Sequence, residues 1–427
     1  MNNEQSQLVA LLKIKGTGPT MSKHLTQKQL ESLKHLLKSN HCFLATKATL
    51  LIAILMLEKT TNEALWLDHI KQDILPNELH FLIHQKPSNP LEEVVIHLLK
   101  HQDLSEKQLH ELLPQLFDTL TPLYLKGCIL EGLRLKRETF LENKTIFDYI
   151  LKHAIYEKTQ ENVVIDLANA YDGFNRTIFF TPFVAAVLSA CGYSCVLHSI
   201  DEVSPKKGIN AFKLLQAANK DVFLSLDEAK QELSNPKCKW TFVHQKHYSP
   251  ELAQLQSLRT QMVKRPCLTT LEKLVFPLRG KENLLITSYT HPPYKPLLKT
   301  LIPECLPTQK TLIVRGQEGS IQLGLDRKTP FVLISEKDNI ENFVRPSDFG
   351  FEEIPTIEPN KDINAEFCLK EGLQALEKTT GLVFKAIAYN AMAYLHLLGL
   401  ETKETSKQKV LDALHTKEAL AHWNNKK

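Results

Sequence analysis

An α/β fold joined to an all-α region is the class this sequence predicts, with a mostly parallel sheet flanked by helices. Three observations carry that prediction. Val163 to His198 reads as strand, turn, helix, strand. Beyond it, apolar runs of strand length alternate with helical patterns, which is the signature of a parallel sheet covered on both faces. Before it, from Leu25 to about Ile150, the apolar spacing is helical throughout. The expected division is an extra N-terminal helical segment over 1–90, a helical domain over 91–155, and an α/β domain with C-terminal helices over 156–427.

In chain order, the Lys15–Lys23 stretch KGTGPTMSK lacks the spacing of a phosphate loop and reads as a solvated leader. The helical region that follows contains a repeat. LTQKQLESL (Leu25 to Leu33) recurs as LSEKQLHEL (Leu104 to Leu112). The copies close on Ile54 to Ile70 and on Leu133 to Ile150. Thr26 and Ser105 are the expected opening caps, and Thr61 and Thr139 the caps of each closing helix. Leu75 to Pro90, rich in proline, is the connector.

Val163, Val164 and Ile165 form a short apolar run of the kind buried in parallel sheets. Gly173 supplies backbone freedom in the turn. Thr181 is the expected N-cap and Pro182 the first helical residue of FVAAVLSAC. Free N–H groups at such a helix start bind anions. Further strands are expected at Trp240 to His244, Asn283 to Ser288, Thr311 to Arg315 and Pro330 to Ser335. Helices are expected at Ile209 to Ala218, Ser225 to Leu233, Asn364 to Lys378, Leu382 to Leu398 and Ser406 to Trp423. Ligands of such sheets bind at the carboxyl ends of the strands.

Composition is that of an ordinary soluble domain protein: 43% hydrophobic, 23% charged, net charge +4 over 427 residues. The eight cysteines form no C-x-x-C, and no apolar run is long enough for a membrane span. Reduced thiols, no membrane partner and a cytoplasmic location are the expectation.

The same residues resemble the anthranilate phosphoribosyltransferase family from about Leu104 onward. The resemblance rests on the Tyr171-Asp172-Gly173 turn, the Thr181-Pro182 helix start and His198. It extends through LRLKRETFLEN (133–143), HYSPELAQLQSLRTQMVKRP (247–266), IVRGQEG (313–319), RPSDFGFEEIP (345–355) and VFKAIAYNAMAYLHLLG (383–399). It implies pentosyl transfer from a phosphorylated ribose to an aromatic or nucleobase-like acceptor, in a homodimer. Asp172, Gly173, Arg176, Thr177, Thr181, His198, Lys206 and Lys207 then fall on the phosphate side. His247, Arg259, Lys264 and Arg265 fall on the acceptor side, with Arg259 matching the family's contact to the acceptor carboxylate, and Thr269 and Thr270 nearby.

The chain departs from the family where phosphate and metal bind. The Gly-rich loop reads Ala168-Asn169-Ala170-Tyr171, and Lys-His-Gly-Asn reads Leu197-His198-Ser199-Ile200. The phosphate turn holds Ile178 and Phe180, and the acidic pair for magnesium reads Ile321-Gln322, leaving Glu318 as the one nearby carboxylate. These losses are expected to leave a poor anthranilate phosphoribosyltransferase, similar to paralogues of which one branch binds nucleic acid. In that alternative Lys126, Arg134, Lys136, Arg137, Lys206, Lys207, Lys264, Arg265, Arg279 and Lys281 form a basic rim. His244-x-x-His247, lacking further ligands at suitable spacing, reads as two ordinary histidines.

Overall fold

The computed structural model describes residues 2–70, 74–337, 339–354 and 363–427. The chain divides into two compact units, residues 1–149 with 254–268, and residues 150–253 with 269–427. Pro355, the end of the Arg345–Pro355 match, lies outside the described residues.

The first unit is helical: α1 (Asn3–Lys15), α2 (Gln27–Lys38), α3 (Leu44–Met56), α4 (Thr61–Ile70), α5 (Pro90–Leu99), α6 (Glu106–Phe117), α7 (Leu123–Lys136) and α8 (Phe140–His153). Helix α1 falls within the helical segment expected over 1–90, although no helix was placed there individually. Helices α2–α4 and α6–α8 share a set of equivalent hydrogen bonds. Thr26 with Gln29, and Ser105 with Gln108, each close a full capping box. Glu63 accepts the N–H groups of Leu25 (3.0 Å) and Thr60 (2.9 Å). Glu142 accepts those of Leu104 (2.9 Å) and Thr139 (2.7 Å). Buried Lys47 donates to the Ser39 carbonyl at 2.8 Å, and buried Lys126 to that of Asp118 at 2.6 Å. Every pair has the same offset (105 − 26, 142 − 63 and 126 − 47 all give 79). The counterpart of Thr139 is therefore Thr60, not the expected Thr61: Thr60 Oγ1 accepts the Glu63 N–H at 3.2 Å, as Thr139 Oγ1 accepts that of Glu142. The cations paired to the two glutamates are not equivalent, being Lys15 from α1 and Lys136 from α7.

Helices α3 and α7 pack on each other. Every residue from Ala45 to Ile54 is buried, so α3 needs apolar cover all round. Part of it comes from the helix Gln256–Met262, which packs on both. Thr46 donates to the Gln261 carbonyl (2.7 Å), Lys264 to that of Leu12 (3.0 Å) and Gln254 to that of Phe117 (2.9 Å). These bonds place 254–268 in the helical unit, although the sequence reading kept the stretch with the α/β part.

The second unit holds a seven-stranded sheet: β1 (Val163–Leu167), β2 (Ser194–Ser199), β3 (Trp240–His244), β4 (Glu282–Ser288), β5 (Lys310–Val314), β6 (Thr329–Ser335) and β7 (Asn339–Val344). The order is β3-β2-β1-β4-β5-β6-β7. The first five run parallel, with Ile165 opposite Cys195 and Leu284, and β6 pairs antiparallel with both β5 and β7. The expected strands β1 to β6 are all present. β7 escaped because five of its six residues are exposed. Helix α9 (Thr181–Ala190) is buried along almost its whole length, as its apolar sequence requires. Its Phe183 stacks on Trp423 at 4.2 Å, and Trp423 lies 5.6 Å from Trp240. Gly372 packs so closely on Phe183 that a Cβ there would lie 2.0 Å from the ring. The single last helix expected from Ser406 to Trp423 is two, Lys403–His415 and Glu418–Asn424. The chain turns at Lys417 (φ 67°), whose ammonium donates to the carbonyls of Leu376 and Glu377.

Candidate functional site

The turn after β1 is built on Gly173, at φ +74°, where a Cβ would come within 2.5 Å of the Ile209 carbonyl oxygen. Asp172 is buried, and its carbonyl accepts the Gly208 N–H. Tyr171 is buried too, and its ring packs among Ile200, Val203 and Ala253. A tyrosine thus fills the interior of the loop.

Beneath Tyr171 lies a closed polar chain. His198 on β2 pairs through Nε2 with Asp166 Oδ1 on β1 at 2.8 Å. Its Nδ1 is 2.5 Å from the Tyr171 hydroxyl, which also bonds the Tyr248 hydroxyl. With Asp166 ionised, the donor inventory gives the order Tyr248 to Tyr171, Tyr171 to His198 and His198 to Asp166, and the Tyr171 hydroxyl also lies 3.3 Å from the Glu272 carbonyl. Burial pushes the Asp166 carboxyl up against the pull of His198, and drives both phenols well above their ordinary range. Lys273 is also buried. It donates to the Ser288 carbonyl (2.5 Å) and Oγ (3.1 Å), and burial brings its pKa down to about 8 against the pull of Asp172 and Glu272. Sequence reasoning missed Asp166, Tyr248 and Lys273. The available signal was a carboxylate inside an apolar strand, which requires a buried partner.

The anion donors expected here are present and occupied from within the chain. Glu318, between β5 and β6, accepts the N–H groups of Asn175 (3.2 Å), Arg176 (2.9 Å) and Thr177 (2.9 Å) and the Thr177 hydroxyl (3.0 Å). The Arg176 and Thr177 donors meet Oε1 and the Asn175 N–H meets Oε2, which also lies 2.6 Å from Lys206 Nζ and 3.8 Å from Arg176 Nε. Burial alone would raise the Glu318 pKa, but Lys206 and the N–H groups outweigh it and hold the carboxyl below its usual range. Helix α9 is likewise closed by a side chain. Gln322 Oε1 accepts the N–H groups of Phe180 (2.8 Å) and Thr181 (3.1 Å) and the Thr181 hydroxyl (3.0 Å). Thr181 is therefore the first helical residue rather than the N-cap, because Gln322 does the capping.

The acceptor-side residues fall in both units. Arg259 and Lys264 are buried in the first unit, where Arg265 is exposed. Burial lowers Lys264 to about 8. His247 is in the second unit, half-buried, and burial lowers its pKa. His244 accepts the Lys246 N–H at Nδ1 and donates Nε2–H to Asp201 at 2.5 Å, so both of its nitrogens are used. Thr269 and Thr270 are half-buried in the short helix Leu268–Leu271.

The expected basic rim is largely neutralised. Arg134 pairs with Glu131, Lys136 with Asp103 and Glu142, Lys206 with Glu318, and Lys207 with Glu202. Lys126 and Lys264 are buried, and Arg279 lies 3.8 Å over the Tyr156 ring. Arg137 and Lys281 are exposed, with Lys281 donating to Asn162. Nor do the residues fit magnesium. The acidic pair is Ile321 and Gln322, Glu318 is committed as above, and among the described residues no group of three or more His, Cys, Asp and Glu is placed to hold a metal ion. No helix among the described residues is long and apolar enough to cross a membrane.

Residues 172–420 match the model of the glycosyl transferase family a/b domain. The chain belongs to that family. It is 27% identical over 337 residues to an anthranilate phosphoribosyltransferase of Francisella tularensis, covering 76% of this chain and 94% of the relative. It is 26% identical over 303 residues to an uncharacterised protein of Aquifex aeolicus, covering 70% and 89%. Among solved structures it is similar in fold to the anthranilate phosphoribosyltransferase of Saccharomyces cerevisiae in complex with PRPP and Mg. That likeness has a TM-score of 0.65 at 15% identity, over 79% of this chain and 97% of that one. The enzyme from Thermus thermophilus gives 0.63 at 18% identity, over 78% and 98%.

Proposed function

We propose that this family member keeps the ligand class of its relatives, a phosphorylated ribose or an aromatic small molecule, and has lost efficient transfer to anthranilate. The observation that carries this reading is the engagement of the loop N–H groups and Lys206 by Glu318. In phosphoribosyl transfer the departing diphosphate needs donors aimed at its developing charge, and catalysis is largely electrostatic. Here those donors already hold a carboxylate, and those of α9 hold an amide. Removing one such donor typically lowers a rate about 10²–10³-fold. The ligand class is supported by family membership and by the bound PRPP named for the yeast enzyme.

The nucleic-acid alternative is less well supported, since Arg134, Lys136, Lys206 and Lys207 are each paired to a carboxylate. The test mixes the protein with magnesium, phosphoribosyl diphosphate and anthranilate, and follows anthranilate fluorescence. The expected result is no consumption above background. Turnover at about 1 s⁻¹ or faster, the range of ordinary enzymes, would overturn the proposal.

A further inference from the structure

We infer that Glu318 is an internal stand-in for a ligand anion: Asn175, Arg176, Thr177 and Lys206 form a phosphate site that the chain closes with its own carboxylate. An outside phosphate then enters only when that carboxylate leaves. The inference deepens the proposed function and rests on it for the ligand class.

Three successive backbone N–H groups converging on one acceptor make an anion-binding concavity, independent of which side chain fills it. A hydroxyl and an ammonium complete this one, at 3.0 and 2.6 Å. The carboxylate supplies two oxygens and one negative charge. A phosphate supplies three oxygens and up to two charges, so the same donors suit it better. The Glu318 side chain is 2% exposed, whereas the Arg176 side chain beside it is 78% exposed. Asn175 is exposed as well. The donor set therefore opens to solvent on one side, and the Arg176 guanidinium stands there as a fork for the arriving group.

The occupant is held under constraint. Glu318 sits at φ 51°, ψ 22°, in the left-handed region that a non-glycine residue adopts at a cost. The same loop brings Gln322 onto the start of α9. One loop thus closes both donor sets, the first with a charge and the second with a neutral amide. Lys206 is fixed for its part, since its backbone carbonyl accepts the Asn175 amide at 2.9 Å and its ammonium lies 5.5 Å over the Phe174 ring.

The test is calorimetric titration of inorganic diphosphate, and separately of phosphoribosyl diphosphate, without metal, into the natural protein and the Glu318→Ala and Glu318→Gln variants. The Glu318→Gln change keeps the shape of the side chain and removes its charge, which covers the case in which Glu318→Ala does not fold. The expected result is at least tenfold tighter binding of inorganic diphosphate to the variants, weakened by salt and lost when Lys206→Ala is added. Folded variants that bind no better than the natural protein would overturn the inference, as would a gain that survives Lys206→Ala. A gain for inorganic diphosphate, with no binding of phosphoribosyl diphosphate to any of the three proteins, would support the internal anion and count against the proposed ligand class. Equal, tight binding of both ligands to all three proteins would support that class and overturn the internal anion.

Discussion

Replacing Lys273 by Met should flatten the pH dependence of stability of the second unit. The Lys273 ammonium is buried, and its pKa falls from 10.5 in the unfolded chain to about 8 in the fold. Between those values the unfolded chain binds more protons, so this residue makes stability rise with pH; below about 8 its full penalty is present. The gap corresponds to about 3 kcal/mol, of which about 2 kcal/mol is recovered between pH 7 and 9.5. Lys220 and Lys264 are also lowered to about 8 by burial, so the natural protein alone cannot isolate one lysine. The difference between natural protein and variant does. Loss of the bonds to Ser288 shifts the whole Lys273→Met curve but not its slope. Urea unfolding at pH 7 and 9.5, followed by Trp240 and Trp423 fluorescence in a Trp66→Phe background, measures it. Parallel curves would refute the reasoning, because they would mean that Lys273 titrates normally in its buried position.

The internal repeat makes Glu63→Gln and Glu142→Gln comparable at the backbone N–H groups they cap, although among the described residues Lys136 keeps Asp103 while Lys15 keeps no carboxylate. Glu63→Gln leaves Lys15 buried without a carboxylate and should destabilise the first unit by about 3–5 kcal/mol, and Glu142→Gln by less, read from Trp66 fluorescence in urea. A loss confined to one copy would show that the shared bonds are not equally important. Nucleic-acid binding should be weak even at low salt, and replacing both Lys206 and Lys207 by Ala should not flatten its salt slope by the roughly 0.7–0.9 expected per phosphate contact. Anisotropy titrations of single- and double-stranded oligonucleotides at two salt concentrations check this. Tight binding that these changes abolish would restore the basic rim.

The sheet was legible because buried parallel strands are short apolar runs, and Val163–Leu167 and Trp240–His244 are uninterrupted ones. The repeat was legible because its spacing is constant, although the cap was misplaced by one residue. The site was much less so. Glu318 and Gln322 reach donors more than a hundred residues away, and nothing local in the sequence marks a side chain as the tenant of a distant loop. The lysines of the supposed rim were read one at a time, whereas Lys207 and Lys136 pair with nearby Glu202 and Glu142, and Lys206 with distant Glu318. Tyr171 registered as the loss of a glycine. In the structure it is also a gain, since its ring and hydroxyl supply the filling that the loop then needs.

The packing of α3 on α7 limits how the chain can be shortened. Gly127 sits close to Ala45 and Thr49 of the first copy, and neighbouring Cys128, Ile129 and Leu130 are buried. A chain begun at residue 91 would keep all of the residues 172–420 matched to the family, yet lose the wall against which this stretch is stacked. Its laid-open helix would be an aggregation surface. The first copy is thus expected to be needed for the second to stay in solution.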